Sequence, residues 1–329
     1  MATCESMCPS TEVKFRSRNG LINQLEATAS SRNGPRYKYV ADPQKMVKEY
    51  SRSAADTHKY NKPDLLRPFP VLMRTVDYLL ELYYALGNRR QEASSNQFSS
   101  IFSFVSDRLR SVRQDMVMQN LDGKSTVILM EKMLPFYIET DGLCKMMVVP
   151  SYNPKLHDFQ LEECFGRWHD EIKSSGDITP NSLISAAFFF RQLHRKPTLL
   201  HELFIFRPKL SQDTFNLIRS ICSSFYSNNY YRFFCQFKSL DSLLRYSLSD
   251  SVFTLRQSAM RIISVAFRTS VARLPSKLLA DWLGFPVNID IFNVFLHLYN
   301  VIPDDQGNIL VSAIKLVEIP YENLPSRQY

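Results

Sequence analysis

Apolar residues recur at three- and four-residue steps along much of the chain, which is the spacing of a helix with one buried face. The clearest example runs from Ile101 to Leu121. Its stripe consists of Ile101, Val105, Leu109, Val112 and Met116. Asp122-Gly123 follows this stripe, and glycine is favoured just past the end of a helix. The pattern therefore predicts one long helix over residues 101–121.

The polar positions of this segment carry several charges. At about 100° per residue, Arg108 and Arg113 flank the apolar stripe on opposite sides, and Arg110 points away from it. One interpretation is a solvated helix face with local ion pairs, such as Asp107 with Arg110, which contribute little to stability. The other is that these planar, permanently charged side chains hold a neighbouring element or a phosphate group.

Similar apolar stripes with short connectors run through residues 41–240. Asp42 is suited to cap a helix, and Pro43 fits the first helical position, so we expect a helix to begin there. We predict a mostly α fold, an α-solenoid of antiparallel helix pairs followed by a C-terminal winged helix. Residues 1–40 show no long periodicity and predict a basic, partly extended arm.

The end of the chain, residues 241–329, has a different pattern. Three stretches keep the helical period: Ser251 to Arg268, Lys277 to Leu283, and Asp290 to Tyr299. They are followed by Val301-Ile302-Pro303, a run of turn residues, and Ile309-Leu310-Val311, which together predict a β-hairpin. Three helices and a hairpin are the order of a winged helix. The predicted domains are therefore an arm (1–40), a helical-repeat body (41–240) and a winged-helix domain (241–329).

Composition excludes several classes of protein. Hydrophobic residues make up 45% of the 329, which suits a globular protein with a sizeable core. The first ten residues lack the apolar centre of a signal peptide, and the six cysteines show no regular framework, so we expect reduced thiols. No apolar run approaches the roughly 20 residues of a spanning helix, so we expect no membrane insertion.

The positive charge is concentrated near the N-terminus. Between Lys14 and Arg74 there are 13 Lys and Arg against 5 Asp and Glu, an excess equal to the net charge of +8 for the whole chain. Such a segment either binds an anionic partner (nucleic acid, a membrane surface or an acidic protein) or keeps the chain soluble. The candidate phosphate-binding residues are Lys14, Arg16, Arg18, Arg32, Arg36 and Lys38, together with Arg268, Arg273 and Lys277.

The predicted winged helix lacks the positive charge that a domain needs to bind in the major groove of DNA. Its third helix carries no Lys or Arg, and the turn before the last strand contains Asp304 and Asp305. Apolar side chains are more typical of contact with a protein, such as another winged helix. The candidate partner residues are Trp282, Phe285, Phe292 and Phe295.

The sequence contains only incomplete versions of catalytic and metal-binding motifs. Gly123-Lys124-Ser125 is similar to the end of a phosphate-binding loop, but Met118 stands where that loop requires glycine. Cys4 and Cys8 could form half of a zinc site, yet no second pair has a suitable spacing. No nucleophile elbow or Ser/His/Asp arrangement is present. We therefore expect no enzymatic activity, no catalytic residues, no cofactor and no metal.

Residues 107–115, D-R-L-R-S-V-R-Q-D, resemble the signature of the SAC3/GANP family, in which a near-identical D-R-x-R-x-[IV]-R-Q-D lies on a long helix. Other segments follow in the family's order. They are Met7-Cys8-Pro9, the stretch K-E-Y-S-R-S-A-A-D from Lys48 to Asp56, Leu66-Arg67-Pro68 with Pro70-Val71-Leu72, and Asn228-Asn229 with Arg232-Phe233-Phe234. The resemblance covers nearly the whole chain and is closest in extent to the family's short members.

This resemblance implies a PCI-like scaffold that pairs with a PCI-domain protein through adjoining winged helices, often with a small acidic protein, and binds RNA on the joint surface. The implied role is nuclear mRNA processing and export in a TREX-2-like assembly. The alternative, associated with the short members, is centrosome duplication and spindle assembly with centrosomal proteins as partners. The implied localisation is nucleus and cytoplasm, or the centrosome under the alternative.

Two further expectations follow from the same comparison. The chain departs from the long members in a Phe-Gly-rich N-terminal region, a long C-terminal helix for centrin-like proteins and an acetyltransferase-like extension, so the resemblance does not extend to pore anchoring or transport-receptor docking. The aromatic segment Asn228 to Phe234 suits either a buried core or base stacking, and the resemblance supports the core interpretation.

Overall fold

The structure is a computed structural model that describes residues 2–33, 36–51, 62–87, 95–285 and 289–316. Within these ranges the chain is mostly α-helical, as predicted. The thirteen helices of the described part are α1 (Ser10–Arg18), α2 (Phe69–Gly87), α3 (Ser95–Met118), α4 (Gly123–Met146), α5 (Pro154–Ser174), α6 (Ser182–Gln192), α7 (Leu199–Phe206), α8 (Gln212–Tyr226), α9 (Tyr230–Ser239), α10 (Ser242–Ser247), α11 (Ser249–Ala266), α12 (Ser276–Trp282) and α13 (Ile289–His297).

In the described part of the chain, four short strands form two antiparallel pairs. The first pair joins β1 (Ala27–Asn33) to β2 (Arg36–Ala41), with Asn33 opposite Arg36 and Ala27 opposite Ala41. The second pair joins β3 (Arg273–Pro275) to β4 (Asn308–Leu310), with Leu274 opposite Ile309. The β1–β2 hairpin lies almost wholly within residues 1–40, the segment predicted as a partly extended arm.

The chain forms two compact units. The N-terminal unit contains Met1–Phe136 and Val149–Gly176, and the C-terminal unit contains Tyr137–Val148 and Asp177–Tyr329. Helix α4 contributes residues to both. The predicted division at residues 40 and 240 follows changes in sequence pattern rather than compactness, and it stays a prediction.

The long apolar stripe on α3 is confirmed. Its five members are all buried, and α3 packs against α2, whose own stripe includes Leu72, Val76 and Leu79. The end of α3 differs from the prediction, because Asn120 takes the left-handed conformation (φ 48°) while Gly123 begins α4. Asn tolerates this conformation because its short polar side chain can form local hydrogen bonds.

The helix predicted from Asp42 is wrong. Residues 43–45 form a turn, and residues 46–51 have no regular secondary structure. The reason is that distant carboxylates take the amide hydrogens a helix would use: the backbone N–H of Val47 donates to Glu26, that of Glu49 to Glu12, and that of Tyr50 to Asp107. Residues 52–56, the rest of the Lys48 to Asp56 motif, lie outside the described residues.

The core of the C-terminal unit surrounds α6, which has a continuous run of buried residues from Ile184 to Gln192. Helices α8, α10 and α11 pack against it. Phe233 and Phe234 of α9 are buried, which confirms the core interpretation for these two rings, whereas Tyr230 is partly buried and Tyr231 is exposed.

The last elements run in the order α11, β3, α12, α13, β4. The predicted hairpin is corrected, since β4 pairs with β3 and not with Val301-Ile302-Pro303. The Asp304 carboxylate accepts hydrogen bonds from the backbone N–H groups of Gln306 and Asn308, which bends the chain into a tight turn before β4. The sequence prediction missed β3 because three residues are too few for a period-two pattern.

Candidate functional site

Asp115 is a fully buried carboxylate on α3. Its Oδ1 accepts a hydrogen bond from Lys48 Nζ at 2.6 Å, and its Oδ2 accepts one from Arg67 Nε at 2.7 Å. Both cations are also buried. Because a buried charge is tolerated only when it is paired and hydrogen bonded, this trio fixes the segments that carry Lys48 and Arg67 against α3.

Ser111, one turn before Asp115, connects the same two segments. Its hydroxyl accepts a hydrogen bond from Arg67 Nη2 at 2.9 Å and donates one to the carbonyl oxygen of Lys48 at 2.7 Å. Arg67 Nη1 donates to the carbonyl oxygen of Met7 at 3.2 Å. Three of the segments that carry the family resemblance, those around Met7, Lys48 and Arg67, therefore meet at the signature helix.

Glu26 is a second fully buried carboxylate in the N-terminal unit. It pairs with the buried guanidinium of Arg16 on α1 and accepts a hydrogen bond from the backbone N–H of Val47 at 3.0 Å. Arg108 Nη2 of α3 lies 3.4 Å from each Glu26 oxygen. Glu26 thus joins α1, segment 46–51 and α3.

Electrostatic interactions in this cluster favour the charged form of Arg16. Burial would lower the pKa of Arg16, but the hydrogen bond and the negative charge of Glu26 outweigh it and raise that pKa. Burial raises the pKa of Glu12, which accepts the backbone N–H of Glu49 at 2.9 Å. Arg108 Nη2 also donates to Glu49 at 3.0 Å. We call Asp115, Glu26, Lys48, Arg67, Arg16 and Arg108 the buried charge network.

Arg113 binds α5 on the other side of α3. Its Nη1 donates to Glu163 at 3.0 Å and to the carbonyl oxygen of Gln160 at 3.3 Å. Arg108 and Arg113 are both buried, so the solvated-face interpretation is wrong for them, and they hold neighbouring elements instead. The predicted Asp107–Arg110 pair is replaced by a pair between Asp107 and Arg108, while the Arg110 guanidinium lies 3.9 Å from the ring centre of Tyr50.

The candidate phosphate-binding residues divide between inward and outward positions. Lys14 and Arg18 are exposed on α1, and Arg268 and Lys277 are exposed in the C-terminal unit. Arg16 is removed from the set because its guanidinium is buried and bonded to Glu26. Arg273 is exposed, and its guanidinium pairs with the Asp304 carboxylate at 2.7 Å. Arg32 lies on β1, and Arg36 and Lys38 lie on β2; their side chains are outside the described residues.

Three of the four candidate partner residues in the C-terminal unit are buried inside the fold. Phe285, Phe292 and Phe295 are buried against one another, with ring centres 5.0–6.2 Å apart. They belong to the core formed by α12, α13 and the following turn, so their apolar surface is already covered. Trp282 is partly exposed.

The described residues offer little for catalysis. Burial raises the pKa of the Cys144 and Cys222 thiols to about 12, which disfavours the nucleophilic thiolate. Among the described residues, no group of three or more His, Cys, Asp or Glu side chains could hold a metal ion. Asp122 caps the start of α4 through Ser125, so Gly123-Lys124-Ser125 opens a helix. Within the same ranges, no helix has both the length and the apolar character needed to span a membrane.

Sequence reasoning found Arg108 and Arg113 but missed Glu26 and Glu12. Glu26 lies in the basic segment 14–74 and Glu12 just before it, and neither belongs to a periodic pattern that would indicate burial. Their role depends on the tertiary contacts with Val47 and Glu49, which no local pattern reveals.

The sequence is similar to a known protein family and to several of its members. A sequence model of the SAC3/GANP family matches residues 7–301. SAC3 family protein B of Arabidopsis thaliana is 28% identical over 138 residues, covering 42% of this chain and 7% of that protein. Protein xmas of Drosophila melanogaster is 25% identical over 350 residues, covering 99% of this chain and 16% of that protein.

A third relative, SAC3 family protein 1 of Schizosaccharomyces pombe, is 27% identical over 138 residues, covering 42% of this chain and 12% of that protein. The chain spans less than a fifth of the length of these relatives. The family match includes the signature helix α3 and every residue of the buried charge network. This chain therefore belongs to the SAC3/GANP family.

Proposed function

We propose that the chain is a non-catalytic helical scaffold in mRNA export, which pairs with a PCI-domain protein and binds RNA in a TREX-2-like assembly. Family membership over residues 7–301 is the observation that carries the proposal, because the family is of the scaffold type with a general role in mRNA export. Two signature arginines support it, since Arg108 and Arg113 hold neighbouring elements against α3.

The proposed architecture is a helical-repeat body followed by a PCI-like winged helix. The order α11, β3, α12, α13, β4 and the antiparallel β3–β4 pair support the winged helix. Consecutive helices joined by short connectors, such as α8 to α9 and α9 to α10, support the repeat body.

The proposed partner surface lies at the end of the chain. Val271 is 79% exposed, and Ala272 beside it pairs through its carbonyl oxygen with the backbone N–H of Val311, next to β4. Val265 and Ile302 are also apolar and mostly exposed. These side chains replace the buried phenylalanines as candidates, because an interface needs apolar surface that the fold itself does not cover.

The test is co-purification from cell extract, with and without nuclease, using the full chain and a Val271→Asp variant. We expect the wild-type chain to retain a PCI-domain protein and RNA, and the variant to lose that protein at least tenfold. The matched control is Ile205→Asp on α7, since Ile205 is 62% exposed in the same unit and should retain the partner.

Recovery of centrosomal proteins without RNA would contradict the export role and favour the centrosomal alternative. Equal loss of the partner in both variants would show that Val271 has no specific role.

A further inference from the structure

Helix α1 presents two different faces. At about 100° per residue, Glu12, Val13 and Arg16 lie on one side and Lys14, Phe15 and Arg18 lie within an arc of about 100° on the other. The first side is turned inward: Arg16 is buried and Val13 packs against a small core of Cys8, Ile22 and Met46.

The inward side fixes the position of α1. Arg16 Nη1 donates to Glu26 at 3.2 Å and to the carbonyl oxygen of Val47 at 3.2 Å, and its Nε donates to the carbonyl oxygen of Leu21 at 3.1 Å. Glu26 in turn contacts Arg108 of α3. These bonds attach a basic helix rigidly to the signature helix, so its outer face is preorganised and binding does not have to order it.

The outer side combines an aromatic ring with two cations. Phe15 is 60% exposed, and Lys14 and Arg18 beside it are exposed as well. No acidic side chain shares this arc of α1: the helix has one, Glu12, and it lies on the inward side. The helix ends here, with Asn19 Nδ2 donating to the carbonyl oxygen of Phe15 at 2.8 Å and Gly20 at φ +68°.

We propose that Phe15 stacks on a base of single-stranded RNA while Lys14 and Arg18 bind the flanking phosphates. The inference rests on the proposed RNA-binding function and adds the strand class and the residue that selects it. A free base offers both of its faces to an aromatic ring, whereas the bases of a duplex are already stacked on their neighbours. Cations beside the ring suit the phosphates that connect successive bases.

A membrane surface fits α1 less well. The helix has nine residues, and Val13 is turned into the protein core. Phe15 is the large apolar side chain left on its outer side. An interfacial helix needs a continuous apolar face to enter the lipid boundary, and one ring does not supply it.

The experiment measures binding of the full chain to a 12-nucleotide oligouridine and to a 12-base-pair RNA duplex by fluorescence anisotropy across a range of salt concentrations. We expect Phe15→Ala to weaken binding to the single strand about tenfold, because stacking contributes roughly 1–3 kcal/mol per base. Binding to the duplex and the salt slope for the single strand should not change, since no phosphate contact is lost. Phe15→Trp should restore the single-strand affinity.

The matched control is Leu21→Ala, because Leu21 is 52% exposed just beyond the same helix but has no aromatic face. It should bind both RNAs like the wild type. Thermal unfolding of each variant should match the wild type, since neither side chain is part of the core.

Three results would overturn the inference. If the wild type binds oligouridine and Phe15→Ala binds it equally well, the surface holds phosphate without stacking, and the proposed RNA function stands. If Phe15→Ala loses binding to phosphatidylserine vesicles and not to RNA, α1 is a membrane contact. If the wild type binds neither RNA, the proposed RNA function fails together with the inference.

Discussion

Asp115 and Glu26 are single residues that each join several segments of the N-terminal unit. Each carboxylate is fully buried and is reached by two or more cations and by a backbone N–H group. A buried carboxylate without such partners is strongly destabilising. Removing one member would leave the opposite charges uncompensated, which is why the signature residues depend on one another.

His194 is a partly buried titratable group with a different environment. It follows α6, and its Nε2 accepts a hydrogen bond from Arg195 Nε at 3.4 Å. Burial lowers the pKa of His194 below its ordinary value of 6.5. The positive charges of Arg195, Arg191 and Lys145 lower this pKa as well. The negative charge of Asp250 acts in the opposite direction but does not cancel the shift. The imidazole is therefore held neutral in the folded chain.

This environment predicts a pH dependence of stability. Because the unfolded chain binds the proton more readily, the stabilising contribution of His194 is complete above about pH 6.5 and is lost as the pH falls through its folded pKa. We expect the urea unfolding free energy of the wild type to fall from pH 7 to pH 5 by more than that of His194→Gln, which keeps an acceptor for Arg195 and does not titrate. Parallel pH profiles would contradict the assignment.

At the scale of elements, helices with a long apolar period could be predicted and elements held by distant contacts could not. Helix α3 follows its stripe closely. Segment 46–51 was predicted as a helix because nothing in residues 42–51 indicates that Glu12, Glu26 and Asp107 accept hydrogen bonds from its backbone N–H groups. For the same reason the sequence indicated the arginines of the candidate site but not all their partners.

Helix α4 continues to Met146. Gly142 lies inside the helix, and a Cβ there would overlap the ring of Tyr246 on α10. The missing side chain is what allows the ring to approach the helix, so the glycine marks a close contact and not a helix stop.

Two glycine substitutions test this contact. Gly142→Ala should destabilise the chain by about 1–3 kcal/mol, because the rigid ring of Tyr246 must move and an overpacked core is strained. Gly166→Ala in α5 is the control: no atom lies within 4 Å of its added Cβ, so alanine should stabilise the helix by about 0.5–1 kcal/mol. Urea unfolding measures both, and a stabilising Gly142→Ala would show that α10 does not pack on this face.

At the scale of the whole molecule, the basic residues of the N-terminal unit serve two purposes. The inward set, Arg16, Lys48, Arg67 and Arg108, neutralises buried carboxylates and connects the segments that carry the family resemblance. The outward pair, Lys14 and Arg18, is exposed on the helix that the inward set holds in place. The sequence located the excess of charge correctly, yet composition cannot divide it, because burial depends on acidic partners far along the chain.

The salt dependence of RNA binding, measured for variants whose unfolding free energies are also determined, tests this division most directly. Arg18→Ala should keep wild-type stability and reduce the salt slope by about 0.7, the value for one lost phosphate contact on a single strand. Asp115→Asn should lose about 3–5 kcal/mol of unfolding free energy while its folded fraction keeps the wild-type slope. Wild-type stability in Asp115→Asn, together with an unchanged salt slope in Arg18→Ala, would contradict the account, because it would show that the signature charges do not stabilise the core and that the outer face of α1 does not bind the RNA.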